Sequence, residues 1–510
     1  MNTINQYLSL EEFESIVFGN AEVGISQDVI KRVTESFDFL KEFSGNKVIY
    51  GVNTGFGPMA QYRIEDEDRI QLQYNLIRSH SSGTGKPLSP VFVKSSILAR
   101  LNTLALGNSG VHPSVIHLMK EFINRGITPL IFEHGGVGAS GDLVQLAHLA
   151  LVLIGEGEVF YKGERRSTAE IFEIEGLQPI SIEVREGLAL MNGTSVMTGI
   201  GIVNLKNAKL LLDWSIKFSC AINEIVRAYD DHLSAELNNT KLHKGQQEVA
   251  ERMREHLSDS KLIRKREEHL YTGENNETVF KEKVQEYYSL RCIPQILGPV
   301  LDTINTTALV LENEINSAND NPIVDVKNRQ VYHGGNFHGD YISLEMDKLK
   351  LVITKLSMLA ERQLNYLMNA KINELLPPFT NLGKLGFNFG MQGVQFTAVS
   401  TTAENQMLSN SMYVHSIPNN NDNQDIVSMG TNAAVITGKV IENAFEVLAI
   451  ELMAIVQAID ALESKDKVSA ATKKIYNDVR DIMPAFKEDM VMYPYVAGVK
   501  EYLMNFNSNH

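Results

Sequence analysis

The sequence predicts a mainly α-helical protein, in which a long central helix bundle carries a small mixed domain at its N-terminal side. Apolar residues recur at helical spacing over residues 341–367 and 433–462. Helices longer than about 25 residues exceed the usual globular length and are typical of bundles. The first part of the chain is instead interrupted by glycine and proline at 51–58 and 83–90. We therefore predict two domains, 1–110 and 111–510.

Four segments are predicted to be long helices, and all of them except 341–367 are predicted to be buried, because their apolar residues leave little polar surface. These segments are 195–229, 296–318, 341–367 and 433–462. The charged stretch 230–283 is interpreted as exposed helices and a loop. Strand patterns are sparse, and short strands are predicted at 47–50, 158–161 and 330–333.

Composition excludes several classes of protein. The 510 residues are 44% hydrophobic and 21% charged, which is ordinary for a globular chain. A net charge of −15 and a pI near 5.4 argue against nucleic-acid or anionic-membrane partners. There is no apolar run of about 18 residues and no signal-peptide pattern at the start. With only Cys220 and Cys292 as cysteines, we expect a cytoplasmic protein without disulfides.

The run from Gly136 to Asp142 is the most informative stretch of the chain. A sharp turn there could bring the Gly141 amide nitrogen onto the Ala139 carbonyl carbon. Cyclisation with loss of water, followed by loss of the Ser140 hydroxyl, would leave a methylidene-imidazolone, which is an electrophile. The same pattern also suits a phosphate loop or a helix cap, with Asp142 as a first-turn acid. A P-loop is excluded because no Gly-Lys-Ser/Thr follows.

Two further motifs carry polar groups beside flexible backbone. Tyr50 precedes the glycine-rich run 51–57, where it could be a packing residue, or a base if a nearby cation favours its phenolate form. Asn192 lies just before the predicted helix at 195–229. It could start that helix, or its amide could donate to an oxyanion.

Gln285, Tyr288 and Arg291 are spaced to fall near one face of a helix. Apolar residues surround Arg291, and a half-buried arginine needs an anion such as a substrate carboxylate. A polar helix rim is the alternative interpretation. Phe337 lies in a glycine-flanked loop at 334–339, where its ring could contact an aromatic substrate.

Taken in order, these motifs resemble those of the aromatic amino acid ammonia-lyase family, which includes histidine, phenylalanine and tyrosine ammonia-lyases and related aminomutases. Within it, the bacterial tyrosine ammonia-lyases are most similar. The resemblance implies the ammonia-lyase/fumarase-like fold and a homotetramer whose active sites take residues from three subunits. The matching stretches are 51–57, 79–83, 135–148, 192–194, 285–295, 316–322, 336–339 and 423–429.

The resemblance also implies roles for individual residues. Tyr50 is the expected base, Tyr288 a further catalytic residue, and Ala139, Ser140 and Gly141 the source of a self-formed prosthetic group. No external cofactor and no metal are expected. The implied substrate-binding side chains are His80, Asn192, Gln285, Arg291, Phe337 and Gln424.

Two positions bear on the substrate. His80 matches the family's ring-selectivity position and would be left unpaired against a phenylalanine ring, which favours a phenol. Histidine ammonia-lyases carry glutamate where this chain has Gln424 and histidine where it has Ile426, which weakens the histidine alternative. We expect elimination of ammonia from L-tyrosine to give trans-p-coumarate. Histidine ammonia-lyase and tyrosine 2,3-aminomutase stay open as alternatives, as does a catalytically dead helical scaffold.

Overall fold

The computed structural model describes residues 2–19, 21–45, 47–183, 185–272, 278–280 and 283–505. Helices dominate these residues, as the sequence predicts. In this part of the chain no helix combines the length and the apolar character needed to cross a membrane.

Contacts divide the chain into two compact units, each built from three stretches of sequence. The first unit comprises Met1–Leu205, Thr307–Asp347 and Ser411–Gly438. The second unit comprises Lys206–Thr306, Lys348–Asn410 and Lys439–His510. The predicted boundary near residue 110 falls inside the first unit, and the division into 1–110 and 111–510 stays a prediction.

The helices of the described residues follow the apolar periodicity of the sequence. In chain order they are α1 (Leu10–Val17), α2 (Gln27–Phe43), α3 (Arg69–His80), α4 (Pro90–Ala105), α5 (Pro113–Arg125), α6 (Leu143–Leu153), α7 (Thr168–Glu175), α8 (Glu186–Met191), α9 (Ser195–Ile225), α10 (Ala235–Asn238), α11 (Lys244–His256), α12 (Arg266–His269), α13 (Tyr288–Arg291), α14 (Ile293–Ile315), α15 (Asp340–Met368), α16 (Ala370–Asn373), α17 (Gln392–Leu408), α18 (Gly430–Ala461), α19 (Ala470–Ile482) and α20 (Tyr493–Met504). Short 3₁₀ turns occupy Gly57–Met59, Asp231–Leu233 and Pro378–Thr380.

The strands of the described residues are short, and all of these strands lie in the first unit. They are β1 (Asn2–Ile4), β2 (Val23–Ile25), β3 (Thr84–Pro87), β4 (Thr128–Pro129), β5 (Phe132–His134), β6 (Glu158–Tyr161), β7 (Glu164–Ser167), β8 (Ile323–Asp325) and β9 (Gln330–Tyr332). Strands β1 and β2 pair in parallel, whereas β3–β5, β4–β6–β7 and β8–β9 are antiparallel.

The four long predicted helices are confirmed as α9, α14, α15 and α18, with ends that differ by a few residues. The middle of α18 is buried on all sides, because alanine, isoleucine, valine and leucine leave almost no polar face. Segment 230–283 contains helices, as predicted, although 273–277 and 281–282 lie outside the described residues. The predicted strands at 158–161 and 330–333 are present as β6 and β9.

The strand predicted at 47–50 is wrong. Its backbone groups bond to a nearby side chain instead of to a neighbouring strand. The Asn53 amide donates to the Lys47 carbonyl at 2.6 Å, and the Ile49 N–H donates to the Asn53 amide oxygen at 2.9 Å. Such local side-chain bonds compete with sheet pairing and favour turns. Tyr50 therefore lies on a turn.

Candidate active site

The Ala139-Ser140-Gly141 turn lies between β5 and α6, and glycine is required at its end. Gly141 has a φ of +72°, in the left-handed region that favours glycine. A β-carbon at Gly141 would lie only 1.9 Å from the carbonyl oxygen of Gly193. No side chain fits at this position, so the turn and the Gly193 backbone pack in direct contact.

Hydrogen bonds to backbone groups of the turn hold it from two sides. On one side, the N–H of Asp142 donates to the Gly193 carbonyl at 2.8 Å. On the other side, the Gly138 carbonyl accepts from the Gly339 N–H at 3.1 Å and from the Ser428 hydroxyl at 3.0 Å. Three segments that are distant in sequence thus position the turn.

Asp142 has a different role from the one that its position predicts. It precedes α6, but its side chain does not cap that helix. Its Oδ2 instead accepts from the N–H groups of Val196 and Met197, at 2.8 and 3.0 Å, in the first turn of α9, and its Oδ1 accepts from the Thr431 hydroxyl. Burial nevertheless raises the pKa of Asp142 to about 6, while these hydrogen bonds act in the opposite direction.

Ser140, the residue that would lose its hydroxyl, is partly buried and has a side-chain partner. The Gln424 amide donates to its Oγ at 2.9 Å. The structure therefore brings together two predicted site residues that are 284 positions apart in the sequence.

Asn192 caps the C-terminal end of α8 and is almost fully buried. Its Nδ2 donates to Asp320 Oδ1 at 3.1 Å and to the Asn321 carbonyl at 3.3 Å. Both neighbours can only accept, so the orientation of the amide follows from chemistry. Its Oδ1, an acceptor, remains for a further contact.

Buried charges surround Asn192 and Gly193. Arg185 and Asp320 form an ion pair at 3.2 Å with both side chains excluded from solvent. Arg100 is also fully buried, donates to Asn319 Oδ1 at 3.3 Å, and has its pKa lowered to about 10 by burial. Opposite charges that are fully desolvated keep their geometry only when paired and hydrogen-bonded. No pattern in the sequence predicts a role for Arg100, Arg185 or Asp320, although stretch 316–322 is among those that carry the family resemblance.

The Tyr50 turn is anchored by its apolar neighbours. Ile49 and Val52 belong to a core cluster with Phe39 and Leu40 of α2 and with Val324 of β8. The hydroxyl oxygen of the intervening tyrosine accepts from the Gly57 N–H at 2.9 Å, and its ring meets that of Phe56 edge-on, with centroids 6.1 Å apart.

His80 ends α3 and lines an apolar cavity of about 460 Å³, together with Phe56 and Met59 of the Tyr50 loop. Its Nδ1 lies 3.0 Å from the Leu76 carbonyl and 3.0 Å from the Ser79 hydroxyl. Since a carbonyl can only accept, the neutral ring carries its hydrogen on Nδ1. Nε2 is then an acceptor.

Phe337 is half-buried in the loop between β9 and α15. The next residue, His338, joins this loop to the Gln424 segment, because its Nε2 lies 3.3 Å from the Ile426 carbonyl. The loop that carries the phenylalanine thus contacts the segment that reaches Ser140.

The second unit contains the remaining predicted residues. Helix α13 is shorter than expected, so Gln285 precedes it and does not lie on its face. The three side chains still meet, because the Arg291 guanidinium donates to Gln285 Oε1 and lies 4.7 Å from the centre of the Tyr288 ring. The hydrogen bond from Arg291 to Gln285 brings these side chains together, which the predicted helical spacing does not do.

The chain is similar to known enzymes over nearly its whole length. Residues 8–481 match the family model for aromatic amino acid lyases. A histidine ammonia-lyase from Bacillus cytotoxicus is 37% identical over 497 residues, which cover 97% of this chain and 95% of the relative. A tyrosine 2,3-aminomutase from Myxococcus sp. is 38% identical over 462 residues, which cover 89% and 88%.

Solved structures give the same result. The tyrosine aminomutase from Streptomyces globisporus superimposes with a TM-score of 0.94 at 34% identity, over 98% of this chain and 96% of that one. The predicted fold, that of the ammonia-lyase/fumarase-like superfamily, is therefore confirmed. With a matching family model, close relatives and a shared fold, the chain belongs to the aromatic amino acid lyase family.

Proposed function

We propose that this protein eliminates ammonia from L-tyrosine to give trans-p-coumarate. In this reaction the Cα–N and Cβ–H bonds break and a Cα=Cβ double bond forms. The observation that carries the choice of tyrosine is His80, which lines an apolar cavity with an acceptor nitrogen available. A phenol hydroxyl can donate a hydrogen bond to this nitrogen, whereas the ring of phenylalanine leaves the nitrogen without a partner.

The residues around Ala139, Ser140 and Gly141 fit a methylidene-imidazolone formed from the chain itself. The left-handed conformation of Gly141 and the absence of room for a β-carbon there favour the tight turn that cyclisation requires. The amide of Gln424 donates to the hydroxyl that must depart, which stabilises charge on the leaving oxygen. The formed group would supply an electrophile that makes the substrate amine a better leaving group.

Tyr50 is the proposed base for the Cβ proton. The Gly57 N–H donates to its phenolic oxygen, and a donor at this atom suits the charged phenolate that a base requires. The tyrosine is half-exposed on a turn, while Ile49 and Val52 on either side are fixed in the core. The side chain can therefore be reached by a substrate although its backbone is held in place.

Arg291 is the proposed partner of the substrate carboxylate. Its guanidinium presents a planar fork that matches a carboxylate in two parallel hydrogen bonds. Gln285 accepts a hydrogen bond from one guanidinium nitrogen, and the ring of Tyr288 lies against one face of the guanidinium. The guanidinium is therefore held in place before the substrate binds. Pre-orientation of this kind lowers the entropic cost of reaching the reactive geometry. Phe337 is proposed to pack beside the substrate.

Asn192 is proposed to contact the substrate or the prosthetic group through its Oδ1, since its amide hydrogens are directed to Asp320 and Asn321. An amide oxygen accepts from N–H groups, so the substrate amine is the partner that it suits.

Tyrosine 2,3-aminomutase is the second candidate, supported by the aminomutases among the similar proteins. Such an enzyme would perform the same elimination and then return ammonia to Cβ. Histidine ammonia-lyase is the third candidate, supported by the Bacillus relative. Gln424 weakens it, because a neutral amide cannot pair with a charged imidazole.

We propose a cytoplasmic homotetramer as the assembled form. Exposed apolar side chains support self-association: on α17, Phe396, Val399 and Met407 are 67%, 46% and 60% exposed. Gel filtration with light scattering would test the assembly state. A monodisperse monomer at working concentration would contradict it.

The test of function is product identification. Purified protein is incubated separately with L-tyrosine, L-phenylalanine and L-histidine, and the products are separated by chromatography. Coumarate from tyrosine, at a higher kcat/KM than cinnamate from phenylalanine, is the expected result. Urocanate as the main product would favour histidine ammonia-lyase, and β-tyrosine would favour the aminomutase.

A further inference from the structure

The segment that carries Arg291 contains only one short helix before α14 begins at Ile293. Helix α13 spans only Tyr288–Arg291, which is a single turn. Isolated helical turns are unstable because nucleation costs more than one hydrogen bond returns. Contacts with other parts of the chain therefore add to the support that α14 gives this turn.

One such contact comes from a fully buried amide. Gln363, on α15, is 1% exposed. Its Nε2 donates to the Ser289 carbonyl at 2.9 Å and to the Ser219 hydroxyl at 3.0 Å. The Ser289 carbonyl can only accept, which fixes the end of the amide that faces the turn, and burial makes an unmade bond costly.

The bonded carbonyl belongs to the centre of α13. Ser289 directly follows Tyr288, and Leu290, fully buried, fixes the next position. Arg291 then extends back to Gln285, on the other side of the same turn. A shift of the Ser289 peptide would therefore move both the guanidinium and the ring that supports it.

The start of the segment is held independently. Lys283 donates to the Tyr366 hydroxyl and to the Ile372 carbonyl, both at 3.0 Å, and Arg266 donates to the Val284 carbonyl at 2.6 Å. These contacts fix the approach of the chain to Gln285. The bond from Gln363 is thus a buried contact at the part of the segment that contains the guanidinium.

We propose that Gln363 is a positioning residue for the substrate carboxylate: it fixes the Ser289 peptide and thereby aims Arg291. The proposal rests on the proposed function, in which Arg291 binds that carboxylate. Gln363 itself does not touch the substrate. Its loss should therefore weaken ligands that have a carboxylate and leave other ligands unaffected.

The test is the Gln363→Met variant, which keeps the volume and removes the amide. We expect KM for tyrosine to rise about fivefold or more, the loss that one neutral hydrogen bond represents, with a smaller change in kcat. The decisive measurement compares two ligands in competition: coumarate should bind about fivefold or more weakly. Its analogue without the carboxylate, 4-vinylphenol, should bind as it does to the unchanged protein.

A matched control is available in the same unit. Gln457 is also fully buried and donates to a backbone carbonyl, that of Phe486, at 2.8 Å. The Gln457→Met variant should leave the ratio of coumarate to 4-vinylphenol affinity unchanged. If both variants change this ratio equally, or if neither does, the positioning role is overturned.

A second variant keeps the test decisive if Gln363→Met does not fold. Ser219→Ala removes one of the two partners of the amide and leaves the Ser289 bond able to form. It should weaken coumarate in the same selective way, but less; an unchanged ratio would overturn the proposal. Failure of the proposed function is separate, because the unchanged protein would then release no coumarate from tyrosine.

Discussion

Two regions hold candidate site residues by different means. They are the turn at Ala139–Asp142 in the first unit and the segment Gln285–Arg291 in the second. In the first unit, backbone contacts backbone: Gly141 meets Gly193, and the Asp142 N–H donates to the Gly193 carbonyl. In the second unit, side chains hold side chains, and Tyr288 is 70% exposed. A buried backbone turn tolerates almost no change, whereas a side-chain clamp can be weakened gradually.

The largest effect is expected in the first region. Ser140→Ala removes the hydroxyl whose loss would create the electrophile, so turnover of tyrosine should fall below detection. The mass of the peptide that contains the turn should lack the loss of two waters. Ser411→Ala, a serine of the same unit bonded to Asp347, is the control and should keep activity. Near-normal turnover in the Ser140 variant would contradict the assignment of a prosthetic group to this turn.

A smaller effect is expected in the second region. Arg291→Lys keeps the positive charge but loses the two-pronged fork, and charge-assisted bonds contribute about 1.5–3 kcal/mol. KM for tyrosine should rise about tenfold to a hundredfold, with the prosthetic group still formed. Steady-state kinetics and peptide mass measure the two effects. Loss of the prosthetic group in this variant would contradict the separation between the two regions.

A selective effect is expected at the cavity of the first unit. His80→Phe removes the acceptor nitrogen, so the ratio of kcat/KM for tyrosine over phenylalanine should fall about fivefold or more. His243→Phe, at an exposed histidine of the second unit, should leave the ratio unchanged. Equal ratios in the wild-type protein and the His80 variant would refute the selectivity role.

The smallest effect concerns a second buried carboxyl. Asp142 has donors from a helix start, but Glu451, in the middle of α18, has no hydrogen-bond partner among the described residues. Burial raises the pKa of Glu451 well above its usual value. Its contribution to stability is therefore complete below pH 4.5 and is lost as the pH rises toward the folded-state value.

Glu451→Met should accordingly be more stable than the wild-type protein at pH 8, by on the order of 1–3 kcal/mol, with a smaller difference at pH 5. Thermal unfolding across this range measures the difference. Glu442→Met, at an exposed glutamate of the same helix, should show no such trend. A difference that does not depend on pH would contradict the buried-acid explanation.

The long helices could be predicted because apolar spacing is a local property of the chain. The local turn at Tyr50 was missed, since Asn53 takes up backbone groups that the pattern assigned to a strand. Family motifs indicated the candidate site residues, but they did not reveal that the Asp142 side chain binds the start of α9 and does not cap α6. The role of Gln363 had no sequence signal, because a buried glutamine resembles any polar residue within a helix.

The sequence by itself determined the helical architecture, the glycine-rich turn and the set of candidate site residues, because each depends on residue type and nearby spacing. Only the tertiary structure decided the pairings: Ser140 with Gln424, Asp142 with α9, and Arg291 with Gln285. These contacts join parts of the chain through space, and their geometry depends on how the backbone packs. Local pattern specifies which groups are present, and packing specifies which groups meet.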